Sequence, residues 1–527
     1  MTSSQLMIAF AGHTLPQSVA DAIRARRVAG VTLFRLHNVE SAAQIRALTA
    51  SLQDAAGGAA RPLLIATDQE GGQLIAMGDE TTQFAGAMAL GAAGSEGLAE
   101  RVGRATGLEL RALGVNVNYA PVCDLATNPG NPGLGIRCFG DDPKVVGGLA
   151  AATVRGFLAS GVAATVKHFP GAGDIAVDTH HEMASVPADA QTLSARELVP
   201  FRAALDAGAQ LVMAGHFALP SLTGDLTVPA SLSREVVTEL LRRNLGFGGL
   251  AITDALDMQA LAQGAAQVVD AICAIRAGQD LLLGTADPEQ IQRLEEGIAQ
   301  AERRQLTDAR ARETSAGRLA ALREWLAGFE QPSLDLVGCR EHTELAAELA
   351  RQSITLVRND AGLLPLRLPA DARIAVIQPE PTDLTPADTS SYVPPLLAHA
   401  IQRRHAATDE FIVDPSPSDS DIASLSRGLA AYDLIVLGTV SANLLPAQAA
   451  LAREILGLGR PTVTVALRTP WDLCEYPEAT THVCSFGILP PTMEALGGAL
   501  FGELRFSGRL PVEITNLHPR RHGIVPN

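Results

Sequence analysis

Short apolar runs alternate with amphipathic segments throughout the first half of the chain. Eight of these runs have the length and composition of buried strands, and between them apolar residues recur at the spacing of helices. The predicted strands are residues 5–10, 30–35, 62–67, 115–119, 161–166, 210–214, 249–253 and 280–283. The predicted helices between them include residues 41–52, 97–113, 147–159, 194–207 and 234–244.

Polar residues decide between the two folds that this alternation fits, a (β/α)8 barrel and an open, doubly wound sheet. In a barrel the carboxyl ends of the strands converge on one mouth, whereas in an open sheet they are spread along an edge. The polar residues follow the predicted strand ends: Asp68 and Glu70, Asp124 and Arg137, Lys167 and His168, His216, and Asp254 follow strands three to seven in turn. We therefore predict an α/β fold with an N-terminal (β/α)8 barrel of the TIM type.

A second series of strands and helices is predicted after the barrel. Residues 287–325 are charged and helical in pattern, as expected of helices that close the barrel, and residues 331–333 (Gln-Pro-Ser) have the composition of a linker. Further strands are predicted at residues 353–358, 373–378, 434–438, 461–467 and 481–486. We predict a barrel with closing helices over residues 1–335 and a smaller C-terminal α/β domain over residues 336–527, because 527 residues exceed one ordinary domain.

Composition excludes several classes of function. A net charge of −16 disfavours nucleic acid and anionic membranes as partners, because both attract clustered Lys and Arg. No apolar stretch reaches the roughly 18–20 residues of a membrane span, and the N-terminus lacks the features of a signal peptide. The six cysteines are scattered without C-x-x-C spacing, so we expect reduced thiols, a cytoplasmic location and no zinc site.

The densest chemistry lies in residues 167–180, which read Lys-His-Phe-Pro-Gly-Ala-Gly-Asp-Ile-Ala-Val-Asp-Thr-His. This segment directly follows a predicted buried strand. Polar groups at such density cost free energy unless they are paired or face a ligand. Together with Asp254 at the end of another strand, the histidines and aspartates indicate acid–base chemistry with a nucleophile.

Four motifs resemble glycoside hydrolase family 3. They are residues 66–72 (Ala-Thr-Asp-Gln-Glu-Gly-Gly), 167–174, 178–180 (Asp-Thr-His) and 252–258 (Ile-Thr-Asp-Ala-Leu-Asp-Met). The Asp-x-His element resembles the β-N-acetylglucosaminidase branch of the family. Residues 353–359 and 499–511 resemble the family's C-terminal α/β-sandwich domain, so the resemblance spans nearly the whole chain.

This resemblance implies a role for each site residue. Asp254 would be the nucleophile of a retaining reaction, and His180 the general acid and then the base, oriented by Asp178. A neutral imidazole does not repel a carboxylate, and its ordinary pKa near 6.5 suits both steps. The residues implied to bind the sugar hydroxyls and the N-acetyl group are Asp68, Arg137, Lys167 and His168, with His216 and Asp124 as weaker candidates. These side chains supply all the chemistry, so no cofactor or metal is expected.

Simpler interpretations compete for several of these residues. Asp254 alone could be the N-cap of a following helix. Lys167 and Arg137 could form structural ion pairs with Asp68 or Asp124, and His216 could either contact the substrate or support a neighbour. Three positions depart from the family pattern: Ala172 stands where a histidine is common, Gln73 where an arginine is common, and Ala76 about where another basic residue is common. These departures leave the implied chemistry intact but bear on the substrate preference, including the natural leaving group, and on the conformation of the loop.

The leading hypothesis is an exo-acting, retaining β-N-acetylhexosaminidase that releases N-acetylglucosamine from cell-wall fragments or chito-oligosaccharides. A phosphorylase that uses the same residues is the first alternative, because a histidine acid does not repel phosphate. A β-glucosidase or β-xylosidase of the same family is the second, and a non-catalytic sugar-binding protein is the third. We expect the C-terminal domain either to cover one side of the barrel or to mediate self-association.

Overall fold

The computed structural model describes residues 5–58, 61–179, 182–284 and 286–526. Its first part is a closed barrel of eight parallel strands, in which each strand pairs with its neighbours in the sequence and the last pairs with the first. The strands are β1 (Leu6–Ile8), β2 (Gly30–Thr32), β3 (Leu64–Thr67), β4 (Val117–Asn118), β5 (Ala163–Phe169), β6 (Leu211–Ala214), β7 (Leu250–Ala255) and β8 (Leu281–Leu283). The predicted barrel is confirmed.

The barrel strands are apolar because both of their faces are covered. Side chains on one face fill the barrel interior and those on the other pack against the surrounding helices, as in other parallel sheets. Strand β5 runs farther than predicted, through Lys167 and His168 to Phe169, with an irregular register against β6 after Val166. The two polar residues therefore belong to the rigid strand itself and not to the loop after it.

Helices surround the barrel and close it. Several begin at the capping residues that favour helix starts: Ser41 and Ser95 accept a backbone N–H, and Asp142 accepts two. The main helices of this part are Gln17–Arg24, Ala42–Ala56, Ala87–Ala93, Glu96–Leu113, Pro143–Ala159, Leu198–Asp206, Gln267–Ala277, Pro288–Arg303 and Ala309–Ala327, with π-helical segments at Leu193–Glu197 and Glu235–Asn244. Within the described ranges, no helix is both long and apolar enough to cross a bilayer.

The C-terminal part contains a six-stranded mixed sheet between helices, which confirms the predicted α/β-sandwich. Its strands are β9 (Thr355–Asn359), β10 (Ile374–Pro379), β11 (Thr408–Val413), β12 (Leu434–Thr439), β13 (Thr462–Ala466) and β14 (Thr481–Cys484), in the spatial order β9-β14-β13-β12-β10-β11. Only β9 is antiparallel to its neighbour. The helices are Arg340–Ser353, Leu397–Gln402, Asp419–Gly428, Pro446–Gly457 and Pro490–Leu500.

Strand β11 was not predicted from the sequence. It reads Thr-Asp-Glu-Phe-Ile-Val and forms one edge of the sheet, where most of its side chains are exposed or half-buried. An edge strand carries charged residues and therefore lacks the apolar run that marks a central strand. The domain boundary predicted between residues 335 and 336 falls between the helices Ala309–Ala327 and Arg340–Ser353 and stays a prediction.

Loops at the carboxyl ends of three parallel strands of the second sheet lie against the mouth of the barrel. After β10, residues 385–389 line the same cavity as the ends of the barrel strands. After β12, Asn443 donates a hydrogen bond to the carbonyl of Pro129 (2.7 Å). After β13, the methyl of Thr469 lies close to Gly135, beside Arg137. The two sheets therefore direct their carboxyl ends towards one region.

Glu109 connects the two parts at a buried position. Its carboxylate accepts hydrogen bonds from the backbone N–H groups of Thr82 (2.8 Å) and Gly338 (3.2 Å) and from the Thr82 hydroxyl (2.5 Å). The same carboxylate contacts Nδ1 of His342 at 2.8 Å, on the first helix of the second part. Four polar groups thus depend on one buried carboxylate.

We expect Glu109→Gln to lower the free energy of unfolding by about 1–3 kcal/mol, because an amide has one acceptor oxygen and leaves buried donors without a partner. Thermal unfolding at a fixed scan rate measures the effect. The matched control is Glu100→Gln on the same helix, where Glu100 forms an exposed pair with Arg155; its effect should stay within about 0.5 kcal/mol. Equal melting temperatures for the two variants would contradict the prediction.

Candidate active site

A cavity of about 640 Å³ opens at the mouth of the barrel. This volume lies within the range of small-molecule sites. Seven of the described residues predicted for the site line it: Asp68, Arg137, Lys167, His168, Asp178, His216 and Asp254. The weaker candidate Asp124 is fully buried and does not line it. The remaining predicted residue, His180, lies outside the described residues.

Buried ion pairs form the floor of the cavity. The ammonium of Lys167 lies 2.6 Å from Asp68 Oδ1 and 2.6 Å from Glu70 Oε1, and the Lys167 side chain is only 2% exposed. The Arg137 guanidinium donates two parallel hydrogen bonds of 2.8 Å to Glu70. Ion pairing between Lys167 and Asp68 is therefore confirmed, whereas pairing with Asp124 does not occur among the described contacts.

Electrostatics keep this cluster charged. Burial alone would raise the pKa of Glu70, but the charges of Arg137 and Lys167 lower it to about 2. Burial likewise opposes the charge on Lys167, yet Asp68 and Glu70 raise its pKa above the usual value. The cluster therefore carries fixed charges at neutral pH, and hydrogen bonds from such groups to sugar hydroxyls are charge-assisted.

His168 is oriented by a fully buried carboxylate. Its Nδ1 lies 2.7 Å from Asp124 Oδ2, which also accepts the His168 backbone N–H at 3.1 Å. The other oxygen of Asp124 accepts the backbone N–H of Ala172 at 2.7 Å. These contacts fix the imidazole so that Nε2 points towards Asp254, whose Oδ2 lies 4.0 Å away.

Asp254 lies near the end of β7 and faces the cavity. Its Oδ1 accepts a hydrogen bond of 2.8 Å from the backbone N–H of Ala255. The next α-helix does not begin until Gln267, and a different residue precedes it, so the interpretation of Asp254 as a helix N-cap is wrong. A carboxylate held in the wall of a cavity, beside an oriented imidazole, has the position that a nucleophile needs.

His216 is fully buried beside this carboxylate. Its Nδ1 lies 2.7 Å from the Ser231 hydroxyl and its Nε2 lies 3.0 Å from the carbonyl of Ala255. Burial lowers its pKa, although Asp254 acts in the opposite direction. Both ring nitrogens are thus engaged, which favours support of the turn after Asp254; direct contact with substrate stays a prediction.

The segment from Pro170 to Thr179 brings Asp178 to the cavity. Residues after β4 hold its backbone: the Asn131 amide donates to the carbonyl of Ala172 (3.0 Å) and the Asn128 amide to that of Ile175 (3.0 Å). Gly173 passes so close to the backbone of Leu125 that a Cβ would clash at 2.2 Å. Packing therefore explains this glycine.

Residues 4–317 match the family described as "Glycosyl hydrolase family 3 N terminal domain". The chain belongs to glycosyl hydrolase family 3. It is 30% identical over 557 residues to beta-hexosaminidase A of Pseudoalteromonas piscicida, covering 95% of this chain and 92% of that protein. A beta-hexosaminidase of Xylella fastidiosa (strain M23) is 38% identical over 286 residues, covering 53% of this chain and 82% of that protein.

A solved family 3 structure agrees over the whole fold. The glycoside hydrolase family 3 beta-N-acetylglucosaminidase from a Paenibacillus species matches with a TM-score of 0.90 and 32% identity, covering 97% of this chain and 98% of that chain. The resemblance found in the sequence motifs is thus confirmed. The chain is an enzyme of a family that hydrolyses glycosides.

Glu70 was not selected as a site residue from the sequence. It lies between Lys167 and Arg137 and pairs with both, so it sets their positions in the floor of the cavity. The signal was present, because Glu70 follows the third strand two residues after Asp68. Asp124 was ranked as a weak candidate, and its contacts with His168 make it a positioning residue of the site.

Among the described residues, no three His, Cys, Asp or Glu side chains form a group that could hold a metal ion.

A buried acidic group lies beneath the loop that carries Asp178. Arg196 pairs with both Glu197 and Asp174, which joins the helix after the loop to the loop itself. Glu197 lies against Gly171, and its Oε2 has no hydrogen-bond partner within the described segments. Burial raises the pKa of Glu197 to about 7, more than the charge of Arg196 lowers it.

We expect Glu197 to make the protein less stable as the pH rises. Because its pKa is about 7 in the folded chain and about 4.5 in the unfolded one, the folded state holds the extra proton between these values. The contribution of Glu197 to stability is fully present below about pH 4.5 and is lost as the pH rises to about 7, by about 1–3 kcal/mol.

The measurement is thermal unfolding at pH 5, 6, 7 and 8 for the wild type and Glu197→Gln. The amide does not titrate, so the variant should lose less stability between pH 5 and pH 8 than the wild type. Glu410→Gln on the exposed edge strand β11 is the control and should follow the wild type. The expectation fails if Glu197→Gln and the wild type have the same pH dependence.

Proposed function

We propose that the chain is a retaining exo-β-N-acetylhexosaminidase that releases terminal N-acetylglucosamine from chito-oligosaccharides or cell-wall fragments. The observation that carries the proposal is the position of Asp254 in one cavity with the charged floor of Asp68, Arg137 and Lys167. The name of the Pseudoalteromonas relative supports a hexosaminidase, and that of the Paenibacillus structure, a beta-N-acetylglucosaminidase, supports the choice of an N-acetylated sugar.

The floor would bind the terminal sugar. Asp68 accepts hydrogen bonds from sugar hydroxyls, and Lys167 and Arg137 donate to them, while Glu70 holds both cations in place. Lys167 and Arg137 keep their charge because Glu70 raises the pKa of both, so their bonds to the sugar are charge-assisted and directional. Fixed bonds of this kind orient the anomeric carbon towards Asp254, and orientation is a large part of the rate.

The reaction would proceed in two steps. Asp254 attacks the anomeric carbon as the bond to the leaving oxygen breaks, and that oxygen takes a proton from His180. Asp178, which lines the cavity, stabilises the imidazolium before the transfer. His180 then removes a proton from water, whose oxygen attacks the same carbon and releases Asp254. Two inversions at one carbon give net retention.

A β-N-acetylglucosaminide phosphorylase with the same residues is the alternative. Inorganic phosphate would take the place of water in the second step, and a neutral histidine does not repel it. A β-glucosidase or β-xylosidase is less well supported, because the Asp178-Thr-His180 element of the sequence resembles the N-acetylglucosaminidase branch. The product and the preferred sugar separate the three.

We also propose that residues 1–335 form the catalytic domain and residues 336–527 the second domain, and that the enzyme works in the cytoplasm. The unpaired cysteines of the described chain support a reducing compartment. Self-association through the second domain and a place in the recycling of cell-wall fragments belong to the same proposal. Light scattering on the purified chain tests the association.

We expect Asp254→Asn to lower kcat about a thousandfold or more on p-nitrophenyl N-acetyl-β-glucosaminide, because the amide cannot form the glycosyl ester. The wild type should prefer this substrate to p-nitrophenyl β-glucoside. Asp54→Asn, an exposed carboxylate on the helix Ala42–Ala56, is the matched control and should retain wild-type activity. An active Asp254→Asn enzyme would remove Asp254 from the mechanism.

The product identifies the acceptor in the same assay. Free N-acetylglucosamine that forms at the same rate with and without inorganic phosphate supports the hydrolase. N-acetylglucosamine 1-phosphate as the main product would replace the hydrolase by the phosphorylase without moving the site. A wild type that prefers the glucoside would support the β-glucosidase alternative instead.

A further inference from the structure

A segment of the second domain forms one wall of the cavity. Residues 383–392, which we name the strap, follow strand β10. They contact Gln73 and Ile75 in a short antiparallel hairpin, residues 69–75, that follows the barrel strand β3. Thr389 donates its backbone N–H to the carbonyl of Gln73 (2.8 Å), and its hydroxyl accepts the N–H of Ile75 (3.0 Å). The Gln73 amide donates to the carbonyl of Ala387 (3.1 Å). The strap is therefore fixed to the barrel.

Two aspartates fix the shape of the strap. Asp388 is fully buried, pairs with Arg468 at 2.7 Å and accepts the backbone N–H groups of Leu384 and Ser390. Asp383 accepts both the backbone N–H and the hydroxyl of Ser391. Side chains carried by the strap are thus presented on a preorganised backbone.

Tyr392 ends the strap and meets the barrel across the cavity wall. The Arg35 guanidinium carbon lies 4.0 Å from the centre of the Tyr392 ring, within the distance of a cation–π contact. Arg35 is held in turn by the carbonyl of Ile75 (3.2 Å) and by Asp79 (2.8 Å). One face of the ring is covered, and yet Tyr392 remains 44% exposed.

The side chains that line the cavity are charged at its floor and largely apolar at its rim. The floor consists of buried charged groups around Lys167, whereas the rim carries Tyr392 and, beside Arg35, Leu36, which is 76% exposed. Large apolar side chains left exposed around a site supply contact area for the apolar faces of a ligand. A sugar ring bonded to the charged floor would leave the rim for the next group of the substrate.

We infer that Tyr392 and Leu36 form a subsite for the second pyranose ring of the substrate, on the leaving-group side. The inference rests on the proposed function and names its substrate class. Arg35 contacts one face of the Tyr392 ring and so fixes its orientation. The opposite face of the ring can therefore stack on the apolar face of a pyranose at little entropic cost. The second domain thereby takes part in substrate recognition.

Charge at the rim favours a neutral second ring. Asp257 and Asp383 both line the cavity, while the guanidinium of Arg35 is already paired with Asp79. A second sugar that carries a carboxylate would be repelled by the two aspartates, whereas neutral N-acetylglucosamine would not. The substrate class that fits is therefore the chito-oligosaccharides, ahead of acidic cell-wall fragments.

The test compares two substrates that differ only at the rim. N,N′-diacetylchitobiose fills the subsite, and methyl N-acetyl-β-glucosaminide does not reach it. For Tyr392→Ala, the ratio of kcat/KM for chitobiose to that for the methyl glycoside should fall roughly three- to tenfold. Tyr392→Phe keeps the ring and should restore most of the ratio. Ile412→Ala, 42% exposed on the edge strand of the same domain, is the control and should leave the ratio unchanged.

Each outcome decides a separate point. A wild type inactive on both substrates rejects the proposed function itself. If the wild type is active and Tyr392→Ala has the same ratio of kcat/KM values as the wild type, the subsite is rejected. An equal loss of kcat/KM on both substrates leaves that ratio unchanged and would make Tyr392 a structural residue only. A wild type that prefers a disaccharide with a carboxylate on its second ring to chitobiose would overturn the argument from rim charge.

Discussion

The buried pairing of two cations with two carboxylates at the barrel mouth is the interaction on which the site depends. Asp68 and Glu70 follow the third strand, whereas Arg137 and Lys167 come from two later stretches of the chain, and each charge would be costly to bury alone. Buried ion pairs of this kind seldom raise stability over apolar residues of the same volume. In the proposed function, their contribution is a set of fixed charges that a sugar would bind without reorganisation.

The closed barrel makes this pairing possible because it brings the carboxyl ends of all eight strands together. The second domain obeys the same rule, since parallel sheets present their ligand-binding loops at the carboxyl ends of the strands. In this chain the two such edges face each other, and the strap after β10 reaches the barrel cavity. A single cavity thus receives loops from two sheets, one that supplies charges and one that supplies an aromatic wall.

The features that depend on a local sequence pattern or on a family motif could be predicted from the sequence. All eight barrel strands were predicted, and every described residue chosen for the site except Asp124 lines the cavity. Residues whose importance arises only from tertiary contact were missed. In the sequence, Glu70 does not differ from other carboxylates that follow a strand, and only its ion pairs with Arg137 and Lys167 in the fold show its role. Tyr392 lies more than 300 residues along the chain from its partner Arg35, so no local pattern connects the two. Strand β11 was missed for the opposite reason, because an exposed edge strand lacks an apolar pattern.

The balance of charge in the cavity bears on the choice between water and phosphate as the second reactant. Around the floor lie four carboxylates, those of Asp68, Glu70, Asp124 and Asp254, and two cations, Lys167 and Arg137. Both cations are already paired, Lys167 with Asp68 and Glu70, and Arg137 with Glu70. A phosphate dianion entering such a site would be desolvated beside excess negative charge, whereas a neutral water molecule would not. The proposed histidine acid–base would remove one source of repulsion but would not supply a cation to hold phosphate. The electrostatics of the floor therefore favour hydrolysis.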